Sequence, residues 1–146
     1  MAENRDDAQN LEQDSRFPSG PWVGFFLQPY PPAGKYRMEL QLTFRDGMLK
    51  GEGRDYIGRF LVTGRYEIDE GKCWWTKRYL GLHDVFYDGY NEGKGIWGNW
   101  SIDVFGRGGF HIWPKAMGDP NVERLYEAAN APASADSRLP EVVVAP

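Results

Sequence analysis

Apolar and polar residues alternate with a period of two through much of this chain. Tyr36, Met38, Leu40, Leu42 and Phe44 share one parity, and Arg37, Glu39, Gln41 and Thr43 the other. Side chains of a strand point alternately to its two faces, so this pattern predicts a strand with one buried face. Asp46-Gly47 follows, a pair suited to a tight hairpin turn. Similar runs, separated by Gly-containing turns, extend from Trp22 to Pro114. They predict strands at Trp22–Gln28, Tyr36–Phe44, Leu49–Asp55, Phe60–Ile68, Lys72–Leu80, His83–Tyr90, Ile96–Ile102 and Phe110–Trp113. One helix is expected: Asp119 suits an N-cap, Pro120 suits the first helical position, and Val122, Leu125, Tyr126 and Ala129 form one apolar stripe. This helix is expected to pack on the outside or across one end of the sheet.

Short connections between sequential antiparallel strands favour an all-β, eight-stranded up-and-down barrel over a Greek-key sandwich. The expected organisation is a disordered leader over residues 1–17, a barrel over 18–116, a C-terminal helix over 117–130 and a disordered tail over 131–146. A barrel of about eight strands has an interior that side chains just fill, or that holds one small ligand.

Composition agrees with that picture. Aromatic residues make up 15%, with 6 Trp, and 18 residues are Gly. Aromatics suit pleated, half-buried surfaces, and glycines suit turns and close backbone approach. The net charge of −4 argues against nucleic acid as a partner. One cysteine excludes an intramolecular disulfide and cysteine-rich zinc sites. No run reaches the ~18 apolar residues of a membrane-spanning helix, and the polar, acidic start of the chain does not read as a signal peptide. A cytoplasmic protein with no membrane partner is expected.

The turn and strand residues form an ordered string. Gly51-x-Gly53-x-Asp55-x-x-Gly58-x-Phe60 leads to Lys77-x-Tyr79-x-Gly81-x-His83-x-Val85-x-Tyr87-x-Gly89, then Ile96-x-Gly98-x-Trp100, then Gly108-x-Phe110-x-Ile112-Trp113-Pro114. This string resembles the calycin-like (lipocalin/avidin-like) barrel domain found in scattered bacterial and fungal proteins and in certain F-box proteins. The resemblance implies a binding barrel; in the F-box relatives the barrel captures modified C-terminal ends of damaged proteins. The helical F-box segment has no counterpart here, so a ubiquitin-ligase role does not carry over.

Strand parity sorts the candidate chemistry. If Phe60, Val62 and Tyr66 point inward, then Lys77, Tyr79, His83, Val85 and Tyr87 share that face, unless the bend at Gly81 breaks the register. A buried lysine has to be paired or lose its charge, and Asp55 is its natural counter-ion. The expected ligand-binding set is Asp55, Lys77, Tyr79, His83, Tyr87 and Trp100. The competing structural reading is a satisfied network that pins the barrel register. Gly51, Gly53, Gly58 and Gly64 are read as making room for the large rings opposite.

Catalytic chemistry has little support. His83 and Asp84 are adjacent and face opposite sides of a strand. No phosphate loop, nucleophile elbow or metal-ligand spacing is present, and no cofactor is expected. The leading expectation is a non-catalytic barrel for a small molecule or a modified peptide terminus. Two other classes stay open: a small isomerase or lyase using Lys77, His83 or Tyr87, and an interaction module with a packed interior. The last would meet a protein partner through the tails or an exposed Trp74.

Overall fold

The computed structural model describes residues 10–104 and 106–121. Eight strands form in chain order: β1 (Gly20–Gln28), β2 (Gly34–Arg45), β3 (Met48–Asp55), β4 (Arg59–Glu67), β5 (Lys72–Tyr79), β6 (Asp84–Asn91), β7 (Ile96–Ile102) and β8 (Gly106–Pro114). Each pairs antiparallel with its sequence neighbours, and β8 pairs back onto β1 through Val23 and Trp113 to close the barrel. The up-and-down topology read from the alternation is therefore the topology of the protein. Closure leaves no free sheet edge.

Parity decides the core. Met38, Leu40, Leu42 and Phe44 of β2 and Phe60, Val62 and Tyr66 of β4 point inward and are buried. Ile68, grouped with them by parity, lies in the turn after β4 and is exposed. The β2–β3 turn carries positive φ at both Asp46 and Gly47, which a tight hairpin of matching twist demands. Gly64 lies against the backbone of Trp74 and Trp75 on β5, where any Cβ would collide with main chain. Gly53 faces the Phe60 ring in the same way. Gly53 and Gly64 accommodate large neighbours, as the pattern suggested; Gly51 instead lies against the Gln41 main chain and Leu42, and Gly58 meets no neighbour and serves the β3–β4 turn at positive φ.

The two ends of the barrel differ. At the end holding the β2–β3, β4–β5 and β6–β7 turns, residues 10–17 run across the opening as a strap. The Glu12 amide donates to the Phe44 carbonyl at 2.9 Å, and Tyr66 donates its hydroxyl to Glu12 Oε1 at 2.7 Å. Arg16 pairs with Asp14 and donates to the Ile68 carbonyl at 2.7 Å, while Asn91 donates to the Arg16 carbonyl at 2.6 Å. Phe17 is 0% exposed and packs its ring 5.4 Å from Phe44 and 5.0 Å from Tyr66. Residues 10–17 were expected to belong to the disordered leader; they are instead a strap bonded to the barrel, and Phe17 joins the core. A single aromatic at the end of a polar run carries no periodicity, so its anchoring role escaped the pattern.

After β8 the chain makes a 3₁₀ turn (Lys115–Met117) and leaves it through Gly118 at positive φ. Met117 ends this 3₁₀ turn and Gly118 leaves it, so the α-helical residues begin at Pro120 rather than at 117. Asp119 Oδ1 accepts from the Asn121 amide at 2.8 Å, as an N-cap does. Residues 1–9 of the leader, 122–130 of the expected helix and the 131–146 tail lie outside the described residues.

Candidate functional site

The site is built where β3, β5 and β6 bring Asp55, Lys77 and Tyr87 together inside the barrel. Asp55 is the last residue of β3, in a tight turn closed by mutual bonds between the Asp55 and Gly58 main chains. Its Oδ1 accepts from the Ile57 amide at 2.9 Å, which fixes the carboxylate. Its Oδ2 accepts from Lys77 Nζ at 2.6 Å and from the Tyr79 hydroxyl at 2.5 Å. Lys77 Nζ also donates to the Tyr87 hydroxyl at 3.2 Å and approaches Met38 Sδ at 3.7 Å. The expected inward charge pair is present.

This ammonium is 1% exposed and enclosed by rings. It lies 4.4 Å from the centroid of Phe60, 4.9 Å from Phe26, 5.0 Å from Tyr79 and 5.4 Å from Tyr87. Ring faces attract a cation and partly replace lost water. Burial nevertheless lowers the Lys77 pKa to about 8, with the Asp55 carboxylate opposing the shift. Burial also raises the Tyr79 and Tyr87 phenols well above the usual tyrosine range, aided at Tyr79 by its bond to Asp55. Both therefore stay protonated hydroxyls at physiological pH.

Above this network lies a cavity of about 220 Å³, open at the barrel end opposite the strap. Tyr79, His83, Tyr87 and Trp100 line it, together with Phe26, Tyr30 and neighbouring aliphatic side chains. Trp100 donates its indole N–H to the Leu27 carbonyl at 2.9 Å, which leaves its ring to form wall. Tyr87 is held from behind by stacking on Trp75 at 5.0 Å and by the edge of Phe110 at 4.9 Å.

The six expected residues thus divide. Tyr79, Tyr87 and Trp100 are buried walls of the cavity. His83 lines the mouth, 5.3 Å from the Tyr79 ring, but it is exposed and precedes β6 rather than standing inside it. The positive φ of Gly81 turns the chain there, so strand parity does not reach His83. Asp55 and Lys77 sit beneath the cavity and are not among its lining residues, which corrects their expected place in its wall. They hold Tyr79 and Tyr87 from below.

Pattern reading missed Phe26, Gln28, Tyr30, Ile57 and Ile102 as lining residues. Phe26 could have been found by continuing β1's alternation inward. Tyr30 and Ile57 lie in turns, where alternation carries no signal.

Outside the barrel, Trp74 is exposed, as are Phe86, Tyr90 and Trp97 on the adjoining strands. Among the described residues no cluster of three or more His, Cys, Asp or Glu has metal-site geometry, and no helix is long and apolar enough to cross a membrane. The chain matches no family model, no curated protein and no solved structure.

Proposed function

We propose that the barrel is a non-catalytic binding protein that takes one ring-sized group into its aromatic cavity. The carrying observation is the 220 Å³ space walled by Phe26, Tyr87 and Trp100, with its charged groups sequestered underneath. Apolar cavities of about 150 Å³ accept a benzene-sized guest, whereas sites for drug-sized ligands run to ~300–1,000 Å³. The fitting ligand is a small molecule or the modified terminus of a peptide, entering end-first past His83 and Tyr30. The Lys77 cation already occupies the faces of Phe26, Tyr79 and Tyr87, so a neutral guest is favoured over a cationic one.

A calycin-like kinship goes with this reading, supported by the closed up-and-down topology and the ordered glycine–aromatic string. A cytoplasmic location goes with it as well, since the lone Cys73 is buried as a free thiol. An enzyme using Lys77 as nucleophile is disfavoured by the enclosure of its amine. The outer rings at Trp74, Phe86, Tyr90 and Trp97 support a second reading, a protein-contact face.

Thermal shift with small aromatic compounds, and with amidated against free-acid peptides, tests the main reading. A ligand held at 100 times its Kd adds about 2.7 kcal/mol, or roughly ten degrees for a domain of this size. Val85→Trp, which fills the cavity, is expected to abolish the shift while the variant stays folded. No shift with any ligand class would end the reading.

A further inference from the structure

On the reading that the cavity holds a ligand, we propose that this ligand is a neutral ring bearing a carbonyl oxygen, which accepts the proton of Tyr87. Two residues belong both to the buried network and to the cavity wall, Tyr79 and Tyr87. Asp55 and Lys77 belong to the network alone. The two hydroxyls differ in where their protons go. Tyr79 donates to Asp55 Oδ2 at 2.5 Å. Tyr87 has no such outlet. Its oxygen accepts from Lys77 Nζ at 3.2 Å, and an ammonium group has protons to give but no lone pair to receive one. The Asp55 oxygens accept from the Ile57 amide, Lys77 and Tyr79. Among the described residues no group accepts the Tyr87 proton.

The other polar side chains of the wall are committed or lie at the mouth. Trp100 gives its indole N–H to the Leu27 carbonyl, and Gln28 gives its amide protons to the Tyr30 and Pro32 carbonyls. Tyr30 and His83 are exposed. Tyr87 is 3% exposed, so its proton has no bulk water to meet. A buried donor without an acceptor is costly, and a ligand oxygen placed against it removes that cost. The ammonium bonded to the same oxygen polarises the hydroxyl and strengthens the bond it can donate.

Charge and shape set the rest of the ligand. Lys77 and Asp55 already neutralise each other, so a carboxylate would lose its water without gaining a counter-ion. A carbonyl brings an acceptor and no proton that then needs a partner. Phe26, Val85, Trp100 and Ile102 give the ring apolar walls. The cavity of about 220 Å³ exceeds the roughly 150 Å³ that suffices for a benzene-sized guest, which leaves room for a small substituent.

The test compares acetophenone with α-methylstyrene, in which a CH2 group replaces the carbonyl oxygen at the same shape. Titrating each into the native protein and into Tyr87→Phe gives a cycle of four dissociation constants. Tyr87→Phe should weaken acetophenone about tenfold, the loss of one buried hydrogen bond, and leave α-methylstyrene nearly unchanged. The infrared carbonyl band of acetophenone bound to the native protein should lie below its position in hexane, a readout that needs no variant to fold. Equal effects of the substitution on both compounds, a carbonyl band where hexane puts it, or binding of α-methylstyrene alone would overturn the role of Tyr87 while leaving the cavity a binding site. If neither compound binds the native protein, the cavity reading falls and the carbonyl ligand with it.

Discussion

Below the level of Lys77 the barrel interior is solid. Trp22, Phe44, Leu42, Leu49, Ile96 and Ile112 meet there with almost no exposed area, and Phe17 on the strap closes the end. Above that level the same strands carry equally large rings, yet a cavity remains. Ring count does not make the difference. In the lower half an extra segment supplies a ring along the barrel axis, and Phe17, Phe44, Trp22 and Tyr66 interlock at centroid distances of 5.0–5.5 Å. In the upper half no described segment crosses the axis, and the Lys77–Asp55 pair lies beneath the cavity, enclosed by the rings of Phe26, Phe60, Tyr79 and Tyr87. A barrel of this size is filled or hollow according to what enters its ends.

The largest expected effect lies at the boundary between the halves. Lys77→Met leaves the Asp55 carboxylate buried without its cation and should cost about 3–5 kcal/mol, read from urea unfolding. Adding Asp55→Leu should recover most of that loss; if the double variant is as unstable as the single one, the pair is not what holds the floor. The pair also has a pH signature. The folded-state pKa of Lys77 is about 8, below its ordinary value of 10.5. Between those values the unfolded chain binds more protons, so native stability should rise with pH from about 8 toward 10. Ordinary tyrosine ionisation, near 10, limits the window from above. Lys77→Met should lack that rise.

A next, smaller contrast compares one residue type in both halves. Ile112→Ala in the solid half should cost about 2–5 kcal/mol, because the surroundings cannot collapse into the space. Ile102→Ala on the cavity wall should cost about 1 kcal/mol, since its side chain is only partly buried. Equal losses in chemical denaturation would mean that the upper half is as tightly packed as the lower.

The smallest effect concerns the strap. Tyr66→Phe removes the hydroxyl bond to Glu12 and should cost about 1 kcal/mol. Limited proteolysis should then cut residues 10–17 faster while the barrel survives. Unchanged cleavage would locate the strap's anchor in Phe17 and in the bonds that Glu12 and Arg16 make to Phe44, Ile68 and Asn91.

The fold was legible because one side of every strand is buried, so alternation reported it directly. Strand register was legible where turn residues are distinctive, as at Asp46-Gly47. The Asp55–Lys77 pair was legible for a related reason: a lysine on the inward parity needs an acid, and Asp55 ends the strand two places away in the sheet. The cavity was not legible. It depends on the space left between rings, which no linear pattern encodes. His83 shows where parity stops, at a glycine that turns the chain out of the strand. Phe17 shows the complementary case, a core residue outside any repeating pattern.

The seam between β1 and β8 has a consequence for how the molecule forms. Among the described residues, seven of the eight strand pairings join consecutive strands through short connections, and this one joins the two ends of the domain. Hairpins can zip locally, but the last seam carries the long-range ordering entropy. It also sums the register of every other pairing. A one-residue slip anywhere turns side chains to the wrong face and would bring β8 to β1 out of step. The closing seam therefore acts as a check on all the others. A chain that fails it keeps two exposed strand edges, the form most prone to join a second copy.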